Sequence, residues 1–184
     1  MIQWNRIARR IRVPLGFLFA AVFLWLARPT PMFLALSLLL VIPGLLLRGF
    51  ASGYVKKNAE LTTTGPYAYT RNPLYLGSIL IAVGFALAAR SFWIALVLVA
   101  LFLAIYLPVI RSEEQYLRSV FPGFDDYAAR VPRLIPRLVP ARQPGSEPGA
   151  FSPALYRKHR EYNALIGAVS MYAALILKLV VLQK

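Results

Sequence analysis

The sequence predicts an all-α, polytopic membrane protein with about five transmembrane helices and a short cytoplasmic subregion toward the C-terminus. Three observations predict it. Hydrophobic residues make up 59% of the 184 and charged residues only 15%. The apolar residues gather in five runs, roughly 13–27, 32–47, 74–89, 92–110 and 162–182, each near the ~20 residues that a helix needs to cross the hydrocarbon core. The basic residues sit at the ends of those runs rather than along one stripe.

The elements follow in order. Residues 1–12 place Ile2, Trp4, Ile7 and Ile11 at near-helical spacing, with Arg6, Arg9, Arg10 and Arg12 between them. That is the pattern of a basic amphipathic helix lying in the headgroup region. Together with the next run it has the outline of a signal peptide, but no small-residue cleavage site follows Trp25-Leu26-Ala27 and further spans come later, so it is read as retained. Residues 13–110 then form four transmembrane helices. Arg28-Pro29-Thr30-Pro31 joins the first two and Arg90-Ser91 the next two; such short connectors predict tight hairpins of helices, each satisfying its own backbone as lipid demands.

The loop 48–73 lies between the hairpins. After Pro108, expected to kink the fourth span, Ser112-Glu113-Glu114-Gln115 resembles a capping box that would start a short helix, stopped by Phe121-Pro122-Gly123. Pro132, Pro136, Pro140, Pro144 and Pro148 then recur every four residues. Proline at that density forbids a helix and predicts an extended strap on the membrane surface, completing a cytoplasmic unit over 111–148. A loose linker at 143–149 leads into 149–184, which holds the fifth span.

With five spans, the N-terminal arginines, the loop with Arg48, Lys56, Lys57 and Arg71, and the basic stretch 111–161 all fall on one side; Arg28, Arg90 and Lys184 fall on the other. The positive-inside rule puts the first set in the cytoplasm, and we read the chain as a bacterial inner-membrane protein. Lys178, about one turn from the end of the last span, is expected to snorkel.

A net charge of +14 would suggest nucleic acid if it formed one stripe on a soluble domain; distributed at span ends, it reads as topology, and no nucleic-acid partner is expected. The chain has no cysteine, which excludes disulfides, thiolate catalysis and sulfur-rich metal sites. Its one histidine, His159, lies in Arg157-Lys158-His159-Arg160 and is expected to be a solvated interfacial side chain. No metal site is expected.

The stretch Leu61-Thr62-Thr63-Thr64-Gly65-Pro66-Tyr67-Ala68-Tyr69-Thr70-Arg71-Asn72-Pro73-Leu74-Tyr75-Leu76-Gly77 is the most informative. Gly-Pro and Asn-Pro turn the chain twice just before it enters the membrane. An aromatic belt with a charged anchor explains Tyr69 alone, but a belt does not require two prolines and two glycines that define a backbone.

This stretch resembles the signature of the isoprenylcysteine carboxyl methyltransferase and phospholipid N-methyltransferase families of membrane proteins. Their pattern is Gly-x-Tyr, then Arg-His-Pro-x-Tyr-x-Gly. About one helical hairpin later come Glu-Glu-x-x-Leu, an aromatic-rich turn and Val-Pro. Here the later parts read Glu113-Glu114-Gln115-Tyr116-Leu117, Phe121-Pro122-Gly123-Phe124-Asp125-Asp126-Tyr127 and Arg130-Val131-Pro132, so the likeness covers about residues 48–140. Asn72 stands where the families have His, which removes any role needing an imidazole and leaves turn formation or hydrogen bonding.

The resemblance implies S-adenosylmethionine as cofactor and methyl transfer to a lipophilic acceptor, an isoprenoid-type carboxylate or a lipid headgroup. Methyl transfer from a sulfonium is an in-line displacement that rests on orientation and electrostatics. A carboxylate suits the cofactor's ammonium, a cation its carboxylate, and aromatic rings its sulfonium and adenine. The resemblance places cofactor contacts on Glu60, Leu61, Thr62, Tyr67, Arg71, Asn72, Pro73, Tyr75, Glu113 and Glu114, and catalytic roles on Arg71, Glu113 and Arg111. Glu113 is preferred to Glu114. The expectation is that Glu113 shares an inward face with Leu117, whereas Glu114 pairs with Arg118 at i, i+4. No Gly-x-Gly-x-x-Gly follows a strand, so a soluble dinucleotide-type fold is not indicated. Two other readings stand beside this one: an NADPH-dependent membrane reductase of the sterol-reductase type, and a non-catalytic lipid-binding scaffold.

Overall fold

The structure, a computed structural model, describes residues 19–56, 60–141 and 149–182. The N-terminal segment 1–12, most of the linker 143–149, and Lys57, Arg142 and Lys184 lie outside the described residues.

Apolar runs become helices that extend past the runs. After α1 (19–26), α2 spans Pro31–Tyr54 and carries its run two turns further, through Arg48. A short 3-10 turn, Gly65–Ala68, precedes α3, Pro73–Ala89. Both α2 and α3 begin on proline, whose missing N–H costs nothing in a first turn. Next come α4, Phe92–Leu101, a π turn at Phe102–Tyr106, and α5, Leu107–Val120. The remaining helices are α6, Phe124–Arg130, α7, Pro153–Lys158, and α8, Tyr162–Leu182. Among the described residues every regular element is helical.

Among the described residues three helices are long and apolar enough to cross a membrane: Pro31–Tyr54, the continuous rod Phe92–Val120, and Tyr162–Val181. The apolar α3 is shorter, at 17 residues, and much of the first run lies outside the described residues. Three of the five expected spans thus reach that length among the described residues.

The rod Phe92–Val120 departs from expectation in two ways. At Pro108, where a kink was expected, the ladder instead widens into the π turn at Phe102–Tyr106, which makes room for a ring that would otherwise meet the preceding carbonyls. Nor does a new helix start at Ser112. Its hydroxyl donates to the Val109 carbonyl at 2.9 Å inside a continuing ladder, so no free N–H needs a cap.

α2 and α3 pack through small residues. A Cβ at Gly44 would lie 2.8 Å from the Gly77 carbonyl oxygen, and one at Gly77 2.7 Å from that of Gly44. Such close approach of backbones is how membrane helices gain van der Waals contact.

At one end of the bundle the two hairpin connectors meet, with the Arg28 N–H donating to the Ala89 carbonyl at 2.8 Å. Phe23, Ala27, Leu34, Ala88, Ala89, Ile94 and Leu175 form the buried cluster there. Lys178 extends to the end of α1. It donates to the Leu24 and Trp25 carbonyls, which the end of α1 leaves without helical partners.

The opposite end gathers the last turns of α2 and α5, the 3-10 turn, α6 and α7. His159 is half-buried there rather than solvated. Its Nδ1 sits 3.0 Å from the Ser52 carbonyl oxygen and so carries the proton, docking α7 on α2. Glu161 completes the junction with a bidentate ion pair to Arg48, Nη2 to Oε2 at 2.8 Å.

Candidate functional site

The turn ahead of α3 is built by exclusion. Gly65 has φ +60, and a Cβ there would meet the Tyr54 ring at 2.5 Å, so the left-handed residue must also lack a side chain. Tyr67, Ala68 and Thr70 are buried behind it.

The strap 132–141 runs against this turn as a second layer. The Arg71 N–H donates to the Pro132 carbonyl, Arg137 N–H to Tyr69 and Ala141 N–H to Ala68, each at 2.9 Å. The Tyr127 hydroxyl donates to the Tyr67 carbonyl at 2.7 Å, beneath a small cluster of Phe124, Tyr127 and Val131 with Leu61 and Leu117 against it. Burial pushes both phenols above the usual tyrosine range. For Tyr67 the nearby Tyr127, Glu113 and Glu161 add to the rise; for Tyr127 the Glu114 charge adds and Arg71 opposes.

Glu114 is the hub. It is buried on the inner face of α5. Its Oε1 accepts from Asn72 Nδ2 at 3.2 Å and its Oε2 from Arg133 Nε at 2.9 Å, with Arg133 Nη2 2.8 Å from Oε2 in an ion pair. Arg71 Nε lies 3.3 Å from Oε1, an ion pair by distance whose N–H is not aligned for a hydrogen bond. Arg71 Nη1 donates to the Ala128 carbonyl at 3.4 Å. Asn72 Nδ2 places its second proton on the Arg133 carbonyl at 3.0 Å, which ties turn, helix and strap together through one amide. The hydrogen bond that Arg133 donates to Glu114 holds its guanidinium above its ordinary pKa.

The two glutamates therefore exchange the places expected for them. The inner face of α5 is Ile110, Glu114 and Leu117, spaced i, i+4, i+7, whereas Glu113 is exposed. Arg118 pairs with Asp125 at 2.7 Å instead of Glu114. Glu113 faces the Tyr75 hydroxyl, and the Tyr75 ring meets that of Tyr106 edge-on at 5.8 Å.

Tyr106 also lines a cavity of about 350 Å³ between the helices, with Arg48 and Ser78 at the same polar end and Phe23, Phe85 and Met171 along its apolar wall. Arg48 Nη1 donates to the Ser78 hydroxyl and, at 3.3 Å, to the Leu74 carbonyl.

Of the remaining expected residues, Pro73 is buried in the first turn of α3 and Leu61 packs on the Phe124 cluster. Thr62 Oγ1 accepts from the Lys56 N–H at 3.4 Å. Glu60 is on the surface, paired with Lys56 at 3.0 Å. Arg111 is exposed on α5, and among the described residues no ion pair joins it to the Glu114 network. Arg133, Tyr106 and the Arg48–Glu161 pair were not expected at the site. Only the position of Arg133 directly after Val131-Pro132 offered a signal.

The signature turn, the inward carboxylate one helical hairpin later and the arginine between them all fall within a known family segment. Residues 48–123 match the phospholipid methyltransferase family. The resemblance to membrane methyltransferases drawn from the turn and the glutamate pair is borne out over this segment. The chain is also 45% identical over 77 residues to the nickel-cobalt-cadmium resistance protein NccN of Alcaligenes xylosoxydans xylosoxydans, covering 42% of this chain and 36% of that protein. It is 36% identical over 105 residues to the cobalt-zinc-cadmium resistance protein CzcN of Cupriavidus metallidurans, covering 56% and 49%. The chain thus spans no more than about half the length of these relatives. No solved structure matches.

Proposed function

We propose that the chain catalyses S-adenosylmethionine-dependent methyl transfer to a lipophilic acceptor, an isoprenoid-type carboxylate or a lipid headgroup, at the cytoplasmic face of a membrane. The observation that carries this reading is the division of labour between the two glutamates. Glu114 is occupied by Asn72 and Arg133, whereas Glu113 is exposed beside the Tyr75 hydroxyl.

The residues fit the cofactor. Glu113 supplies a carboxylate for its ammonium. Arg71 has a buried Nε with no aligned acceptor, and the ion pair with Glu114 aims the rest of its guanidinium as a donor for the carboxylate. Tyr67, Tyr75 and Tyr106 provide ring faces and edges suited to a sulfonium and an adenine. Bound there, the cofactor would supply an electrophilic methyl group. The chain's own part is orientation and exclusion of water, since Tyr67 and Tyr127 are buried and the Glu114 network keeps Arg71 in place. The interhelical cavity ends at Tyr106 and Arg48, so an acceptor with an apolar tail would lie sideways in the bundle with its polar head toward Tyr75.

Among the described residues no three His, Asp or Glu lie close enough together to hold a metal ion.

Calorimetry with S-adenosylhomocysteine on the purified protein tests the reading. Binding is expected for the wild type and a loss of tenfold or more, about 1.4 kcal/mol, for Glu113→Gln. No binding by the wild type, binding indifferent to Glu113→Gln, or binding of NADPH instead would overturn it.

A further inference from the structure

The strap carries apolar side chains that nothing in the fold covers. Ile135, Leu138 and Val139 are 81%, 99% and 66% exposed. Their backbone is nevertheless held, since Arg137 N–H and Ala141 N–H donate to Tyr69 and Ala68 and the Thr70 hydroxyl donates to the Arg133 carbonyl at 3.1 Å. Three large apolar groups are thus kept outward on a fixed platform. They continue the apolar face of α2, where Leu46 and Phe50 are also exposed. Between strap and helix lies an apolar cavity of about 600 Å³ lined by Leu46, Phe50, Tyr54, Pro66, Leu80 and Pro136.

Cations surround the same level. Arg137 on the strap is exposed, as are Arg157, Lys158 and Arg160 in and after α7. α7 is fixed at that end of α2, with the Ser152 N–H donating to the Gly53 carbonyl at 2.9 Å. An apolar tip with a cationic rim, continuous with a transmembrane helix, matches one partner chemistry, a leaflet with anionic headgroups.

We infer that residues 134–139 are a membrane wedge. Ile135, Leu138 and Val139 sit at the acyl boundary of the leaflet on this side, a phospholipid acyl chain fills the cavity against α2, and Arg137 with the α7 cations holds anionic headgroups. This surface does not depend on the proposed reaction.

The chain has no cysteine, so one introduced thiol gives one label. Leu138→Cys and Ala129→Cys, the latter on the exposed side of α6, would each carry a small fluorophore on the full chain in nanodiscs of phosphatidylcholine with phosphatidylglycerol. Leu138 makes almost no packed contact, so its replacement leaves the fold intact; Ile135→Cys repeats the measurement. Nitroxide lipids should quench the label at 138 several-fold more than that at 129, and aqueous iodide should show the reverse order. Iodide reaching 138 as freely as 129 would overturn the wedge. Shielding of 138 from both quenchers would overturn it too, in favour of a protein partner. Equal lipid quenching without phosphatidylglycerol would overturn the role of the cations.

Discussion

Replacing Glu114 by Gln keeps the side-chain volume and removes one buried charge. The wild-type carboxylate is 6% exposed. It receives Asn72 at 3.2 Å and Arg133 at 2.9 Å, with Arg71 Nε 3.3 Å away. Removing one partner of a buried pair typically costs about 3–5 kcal/mol, because the other charge stays buried without compensation. Two features set the value at the lower end here. The Arg133 side chain is 42% exposed, so it turns to water and its share is that of a surface pair, about 0–1 kcal/mol. Glutamine also keeps one oxygen, which can still accept from Asn72. The Arg71 side chain, 12% exposed, has no such escape, and its stranded charge costs about 3 kcal/mol. For a chain of this size that corresponds to a midpoint lowered by about 6–12 °C. Glu113→Gln, on the exposed face, should stay within about 0.5 kcal/mol. Thermal unfolding of the detergent-purified proteins followed by far-ultraviolet circular dichroism separates the two. Equal losses in the two variants, or a larger loss at Glu113, would show that the hub has been assigned to the wrong glutamate.

Gly77→Ala should destabilise by about 1–3 kcal/mol, since its methyl would meet the Gly44 carbonyl oxygen at 2.7 Å and force α2 and α3 apart; Gly123→Ala, with nothing within 4 Å, is the neutral control in the same melting assay. Tyr127→Phe should cost about 1–3 kcal/mol by leaving the buried Tyr67 carbonyl unpaired. Because burial raises Tyr67 and Tyr127 in the folded state, the folded protein keeps these protons to higher pH than the unfolded chain does. Their stabilisation is therefore intact below about pH 10 and is lost as pH rises beyond it; an alkaline titration of the melting midpoint should show that fall, with a shallower slope for Tyr127→Phe.

Helices were legible where hydropathy and backbone end together. The run 74–89 became Pro73–Ala89 and 162–182 became Tyr162–Leu182. They were less legible where a charge ends the hydropathy but not the helix. α2 runs on through Arg48 because Glu161 and Ser78 receive its guanidinium, and partners so distant in sequence leave no local pattern. In the fourth span, Pro108 and the Ser112 box each carry a valid local signal, yet the ladder continues through both once a π turn absorbs the proline. Local rules describe what a segment prefers alone; here tertiary packing set the outcome.

The glutamate pair shows the same limit at the site. Leu117 alone cannot set the phase of α5, since it lies i+4 from Glu113 and i+3 from Glu114. Adding Ile110, the buried residue two turns before Leu117, leaves the tie, since it lies three residues from Glu113 and four from Glu114. What settles it is tertiary: Asn72 and Arg133, distant in sequence, donate to Glu114 and leave no local pattern. Asn72 is the converse case. Its departure from the family's His was plain in the sequence, and its consequence was not. By residue type Asn72 suits a helix N-cap, yet its side chain makes no cap bond. Instead one Nδ2 donates both to Glu114 and to the Arg133 carbonyl. A neutral imidazole has a single N–H, so it could not serve both acceptors. The amide joins turn, helix and strap without a group that titrates near neutral pH, which makes Asn72 a working member of the network rather than a loss from it.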